Sequence, residues 1–209
     1  MKTIIWDYNG TILNDVGIAV RIENEMLEER GLKAGYSIDE YKALFDNPME
    51  NYYRKIGYTF ENESFHDVGI EFYQLYDKYF PACSLNQGIE EKLKESIQKG
   101  YQNIILSSCE HTKLVEQCQK LNIAQYFQAV IGVNNLIGGS KIANGRQWMK
   151  ETHSNPKDCI FIGDTNADYE TANQLGIEEI YLVSTGHQSF ARLKKLHNNV
   201  ITTVKEIKL

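Results

Sequence analysis

The sequence predicts an α/β fold: a core built on a mainly parallel sheet, with an all-helical segment inserted after the first strand. Three observations predict it. Five short apolar runs, none alternating apolar with polar residues, read as strands buried on both faces, as parallel strands are. Helical patterns separate these runs over residues 85–209, the alternation of a sheet wound with right-handed crossovers. Residues 15–82 differ, carrying helical patterning and no convincing buried strand.

In chain order, Thr3 to Trp6 reads as a strand, stopped by the turn Asp7-Tyr8-Asn9-Gly10. Val16 to Arg30 makes a long amphipathic helix with Gly31 after it, and Asp39–Phe45, Met49–Ile56 and Ser64–Phe80 suggest further helices. This stretch holds Tyr36, Tyr41, Tyr52, Tyr53, Tyr58, Tyr73, Tyr76 and Tyr79, eight of the 13 tyrosines, which suit packing between helices and, at some positions, a substrate cleft. Gly88 to Lys99 places Ile89, Leu93 and Ile97 four apart, a spacing that fits one helix face. The strand runs Asn103–Leu106, Ala129–Ile131, Cys159–Ile162 and Ile180–Val183 follow, with helices expected over Thr112–Leu121, Ile142–Thr152 and Asn166–Leu175. The expected division is a core of residues 1–14 and 83–209 and an insert of residues 15–82.

Composition narrows the function. The 209 residues suit one domain, or one carrying an insert, and can bury a core without disulfides or metal staples. A net charge of −6 with no basic stripe argues against a nucleic-acid partner. No apolar run approaches the roughly 20 residues of a membrane span, and Met1-Lys2 leads into no signal-peptide pattern. Cys83, Cys109, Cys118 and Cys159 form no C-x-x-C pair, so the expectation is a reducing, cytoplasmic location without disulfides or zinc. No heptad pattern points to an oligomer.

Ligands of an open parallel sheet bind beyond the carboxyl ends of its strands. Asp7, Asn9, Gly10 and Thr11 follow the first run, Ser107 and Ser108 the second, Gly138-Gly139-Ser140-Lys141 the third, and Gly163, Asp164 and Asp168 the fourth. Each alone fits a turn or cap; together they put carboxylates, a hydroxyl and a lysine at one edge. That set suits phosphoryl transfer: a carboxylate nucleophile, a hard octahedral Mg²⁺ on Asp7 and Asp164, and Lys141 against the remaining charge. Gly10 would let the backbone approach the phosphate.

These motifs resemble the haloacid dehalogenase superfamily, closest in layout to phosphoglycolate phosphatase-like members. The matches are Ile4-Ile5-Trp6-Asp7-Tyr8-Asn9-Gly10-Thr11-Ile12-Leu13, then Ile105-Leu106-Ser107, Lys141, and Phe161-Ile162-Gly163-Asp164-Thr165-Asn166-Ala167-Asp168. The resemblance implies a three-layer Rossmann-like core with a helical cap between the first and second motifs. It implies Asp7 as nucleophile and metal ligand, the carbonyl of Asn9 and Asp164 as further Mg²⁺ ligands, and Ser107, Ser108, Gly10 and Lys141 around the phosphoryl group. Asp168 would orient Lys141 or a metal-bound water, Thr11 would steady the turn, and Arg54 is the candidate cap contact to a small phosphorylated metabolite.

One departure matters. Phosphatases of this superfamily carry an acid/base Asp where this chain has Asn9, and an amide cannot shuttle a proton. Three readings follow: a slow phosphatase, or one for easy leaving groups; a dehalogenase- or phosphonatase-like hydrolase, the latter needing a cap lysine such as Lys33, Lys42 or Lys55; or a protein that binds a phosphorylated ligand or partner with little turnover. The full carboxylate-and-lysine set favours the first. Glu110, His111 and His187 follow expected strands and are candidate proton donors, against a surface or capping role for each. Trp6 suits the core, Tyr8 the cap interface, and Cys109 a small buried side chain.

Overall fold

The computed structural model describes residues 2–135 and 141–209. Its main sheet has six strands in the order β5-β4-β1-β6-β7-β8: β1 Thr3–Trp6, β4 Gln102–Glu110, β5 Ala129–Val133, β6 Cys159–Gly163, β7 Glu179–Val183 and β8 Val200–Ile201. Every pairing is parallel. Helices α5 Ile89–Gln98, α6 His111–Lys120, α7 Lys141–Thr152, α8 Asn166–Gln174 and α9 Phe190–Leu196 connect them. Between β1 and β4 stand α1 Val16–Glu29, α2 Ile38–Leu44, α3 Met49–Lys55 and α4 Phe65–Tyr79, the four helices of the insert.

Strand periodicity explains the layers. Ile4 and Trp6 point to one face of β1 and Ile5 to the other, and each face has its own core. The core containing Ile4, Trp6, Ile105 and Ile162 continues without a break into Met26, Tyr41, Tyr53 and Tyr76 of the insert. The second contains Ile5, Leu106, Phe161 and Leu182. Burial on both faces is what the unalternating runs implied. Capping boxes start two insert helices, Ser37 with Glu40 at α2 and Ser64 with Asp67 at α4.

The structure adds elements to those expected. A two-stranded antiparallel ribbon, β2 Leu13–Asn14 with β3 Ser84–Leu85, closes the neck of the insert. Helix α9 and strand β8 extend the sheet's far edge. Ile97 is 42% exposed rather than on the buried face of α5. Steps of four residues drift by about 40° around a helix, so the third residue of the series turns outward while Lys92 and Ser96, on the i+3 row, turn in. No described helix is long and apolar enough to cross a membrane. Of the Gly-rich segment before α7, Gly138, Gly139 and Ser140 lie outside the described residues.

Candidate active site

Four strand ends and two helix starts converge on one edge of the sheet. Asp7 leaves β1 with its N–H bonded to the Ile162 carbonyl at 2.8 Å, which ties its position to β6. The turn after it is closed by Ile12 and Leu13 N–H donating to the Tyr8 carbonyl, both at 2.9 Å. Asn86 Nδ2 donates to the carbonyls of Gly10 and Thr11 at 2.8 and 3.0 Å and pins the turn from the ribbon side. Asp164 follows β6, Asp168 sits in the first turn of α8, and Lys141 opens α7.

Lys141 Nζ bridges two carboxylates. It donates to Asp7 Oδ1 and, at 2.5 Å, to Asp168 Oδ1. Asp168 Oδ2 accepts from the N–H groups of Asp164 and Thr165 and from Thr165 Oγ1, at 3.0, 2.9 and 2.7 Å. Both oxygens of Asp168 are thereby engaged, and the residue holds Lys141 and the β6–α8 turn in place. Asp164 Oδ1 accepts from Thr11 Oγ1 at 3.0 Å and its Oδ2 from the His187 N–H at 2.6 Å. One carboxylate oxygen from each of Asp7, Asp164 and Asp168 lies within 4.8 Å of the others, and all three residues are buried.

This crowding appears in the electrostatics. Burial, then the charge of Asp168, push the Asp7 carboxyl well above the usual carboxylate range, against Lys141. Burial pushes Asp164 up to about 6, with Asp168 adding and His187 opposing. Burial would lower the Lys141 ammonium, but the charges of Asp168 and Asp7 outweigh it and raise the pKa. Lys141 alone does not balance Asp7, Asp164 and Asp168, and what these three offer a ligand is hard carboxylate oxygen. That chemistry fits a divalent cation such as Mg²⁺ held by Asp7 and Asp164.

Two glycines are there because Asp164 is close. Gly10 has φ +73°, and a Cβ on it would fall 2.4 Å from Asp164 Oδ2. A Cβ on Gly186 would fall 2.1 Å from the same oxygen.

The site opens into a cavity of about 660 Å³ between sheet edge and insert. Asp7, Asn9, Ser107, Ser108, Lys141, Asp164 and Asp168 line it; Gly10 and Thr11 do not. Ser107 is buried, its Oγ accepting from the Cys109 N–H at 3.0 Å, and Ser108 is exposed at the rim.

Several expectations need correction. Arg54 does not line the cavity. It is half exposed on α3, paired with Glu50 one turn earlier at 2.7 Å and donating to the Thr59 carbonyl at 3.2 Å. Neighbouring Tyr52 and Tyr53 take the inward face, so residue 54 points out. Lys33, Lys42 and Lys55 do not line the cavity either. Lys42 donates to the Ser184 carbonyl at 2.5 Å, and Lys55 pairs with Asp46. His111 is exposed and outside the cavity. Glu110 caps α6, and the N–H groups of Thr112 and Lys113 lower its pKa, away from a donor's. Cys109 is half-buried and lines the cavity, and burial pushes its thiol up to about 12.

His187 is no surface residue. Its ring is buried, with Nδ1 2.9 Å from the Tyr41 hydroxyl and Nε2 3.4 Å from Asp15 Oδ1. Burial opposes the charged ring, but Asp15 and then Asp164 outweigh it and raise the pKa to about 9. Asp15, which the sequence reading singles out only as the first residue of the insert, makes no cap bond; it accepts from Gly10 N–H at 2.8 Å, Asn9 Nδ2 at 2.7 Å and the Tyr76 hydroxyl at 2.6 Å. His187 and these bonds hold Asp15 low despite its burial. An aspartate eight residues from Asp7 gives no local signal, since long-range folding creates its surroundings.

A family profile described as Haloacid dehalogenase-like hydrolase matches residues 4–182. No curated protein matches significantly by sequence. Among solved structures, a predicted phosphatase from Clostridium acetobutylicum superposes with a TM-score of 0.78 at 18% identity, covering 98% of this chain and 95% of the other. A haloacid dehalogenase-like family protein from Streptococcus pneumoniae gives 0.72 at 20% identity, with 96% and 93% covered. A predicted phosphoglycolate phosphatase from Haemophilus somnus gives 0.71 at 16%, with 97% and 94% covered. The profile spans most of the chain, and the chain belongs to the haloacid dehalogenase-like hydrolases.

Proposed function

We propose that this protein is a Mg²⁺-dependent phosphatase for a small phosphorylated metabolite, with Asp7 as nucleophile. The observation that carries this is the Asp7–Lys141–Asp168 bridge with Asp164 beside it. Solved structures described as phosphatases share the fold. An Asp7 carboxylate oxygen attacks phosphorus, the bond to the leaving oxygen breaks, and water then hydrolyses the aspartyl-phosphate. Lys141 neutralises charge on the phosphoryl oxygens and Ser107 supports them from β4. Asp7 and Asp164, with the Asn9 carbonyl, would hold Mg²⁺, which would supply the charge that lets an anionic nucleophile meet an anionic phosphate.

Asn9 donates to Asp15 and the Tyr76 hydroxyl, so its amide braces the turn and transfers no proton. Both ring nitrogens of His187 are engaged as well. The reading is therefore hydrolysis of esters whose leaving groups need little protonation, aryl over alkyl. The phosphonatase alternative lacks a cavity lysine from the insert, Lys33, Lys42 and Lys55 all pointing elsewhere. The test is hydrolysis of an aryl phosphate with Mg²⁺ and with chelator. Turnover that needs Mg²⁺ and disappears in Asp7→Asn supports the proposal. No turnover above background moves the reading to a phosphate-binding protein.

A further inference from the structure

The cavity's far wall, on the insert, carries a carboxylate that nothing above uses. Glu23 lies on the buried face of α1, is 3% exposed and lines the cavity, and its Oε2 has no hydrogen-bond partner. Leaving such an atom unpaired is costly. Tyr41 and Tyr53 lie near enough to feel its charge, and with Phe45, Phe65 and Phe72 they give the same cavity an aromatic lining. Tyr53 packs edge-on to Phe65 with ring centroids 5.9 Å apart, and Tyr41 lies 5.3 Å from Phe45. Aromatic faces with a carboxylate are a cation's environment.

The remaining lining charges agree. The described cations of the cavity are Lys113, Lys141 and His187, and each already faces a carboxylate: Asp77, Asp7 with Asp168, and Asp15. A second anionic group on a substrate would find no spare cation there, and would meet Glu23, Glu50 and Glu170. Resting on the phosphatase reading, we propose that the substrate is a phosphorylated amine, its phosphoryl group at Asp7 and Lys141 and its ammonium group at Glu23 within the aromatic wall. Burial raises the Glu23 carboxyl to about 8, with Tyr53 and Arg30 pulling the other way. An arriving ammonium draws it into the ionised form and releases its proton to solvent.

Three phenyl phosphates with matched leaving groups test this, bearing a para aminoethyl, propyl or carboxyethyl arm. With Mg²⁺, the amine is expected to show kcat/KM about tenfold above the propyl compound, and the carboxylate to fall below both. Glu23→Gln is expected to bring the amine-to-propyl ratio near one. A wild-type ratio at or below one, or a ratio that survives in Glu23→Gln, overturns the proposal. Calorimetric binding of the three compounds to Asp7→Asn reads the same preference without turnover. Hydrolysis of all three without preference overturns the amine and leaves the phosphatase; binding preference without wild-type hydrolysis does the reverse.

Discussion

At position 9 an amide sits where a proton-transferring carboxylate would serve catalysis, and its neighbours say why a simple swap is not enough. Asn9→Asp alone would set a second carboxylate 2.7 Å from Asp15 Oδ2, and one of the two would have to stay protonated. Little gain in hydrolysis is expected from it. Exchanging the pair, Asn9→Asp with Asp15→Asn, keeps an acceptor for the Gly10 N–H and a donor between the two side chains. The double variant should hydrolyse alkyl phosphates faster, by at most about 10²–10⁴-fold; a steady-state assay with one alkyl and one aryl ester decides it. Lys141→Met removes the cation from two buried carboxylates. It should abolish turnover and cost about 3–5 kcal/mol, read by urea unfolding. Asp7, Lys141, Asp164 and Asp168 were legible in the sequence because each follows an apolar run; Asp15 and Glu23 were not, because helical periodicity alone does not say what a helix faces.

Among the elements, α1 carries a tension that pH should expose. Glu23 shares its buried face with Ala19, Ile22, Met26 and Leu27. An acid whose folded pKa lies at about 8, against an ordinary 4.5 unfolded, binds more protons folded than unfolded between those values. Its contribution to stability therefore falls as pH rises from about 4.5 to about 8. Glu23→Gln should raise Tm relative to wild type at pH 8.5 and change it little at pH 4.5, measured by thermal unfolding without ligand. An equal shift at both pH values would contradict this. The longer elements were readable since their apolar period persists for several turns. The β2–β3 ribbon was not: two residues per strand hold no period, and their pairing depends on chain segments far apart in sequence. Strand β8 is as short.

For the molecule as a whole, insert and core behave as a joined pair. One apolar cluster runs through both, and polar ties reinforce it: Tyr41 to His187, Lys42 to Ser184, Lys113 to Asp77, and Gln188 Nε2 to the Phe45 carbonyl at 3.1 Å. A ligand bound between them should stabilise both together. Mg²⁺ with a phosphate mimic at about 100 times its Kd should add about 2.7 kcal/mol, seen as one cooperative transition at higher temperature; Asp7→Asn should weaken that shift. The α/β class and the helical insert were visible from the order of patterns along the chain. The cavity was not, because its wall and floor come from residues that only the packed fold makes neighbours.

The neck of the insert has an evolutionary corollary. Leu13 pairs with Leu85 and Asn14 with Ser84, so the helices leave and re-enter through one narrow doorway. A tight turn that suits those two rungs would join the two strands of the ribbon directly. Selection can thus exchange the helices above the doorway, provided the newcomer again supplies partners for Asn9, Gly10 and His187 as Asp15, Tyr41 and Tyr76 do here.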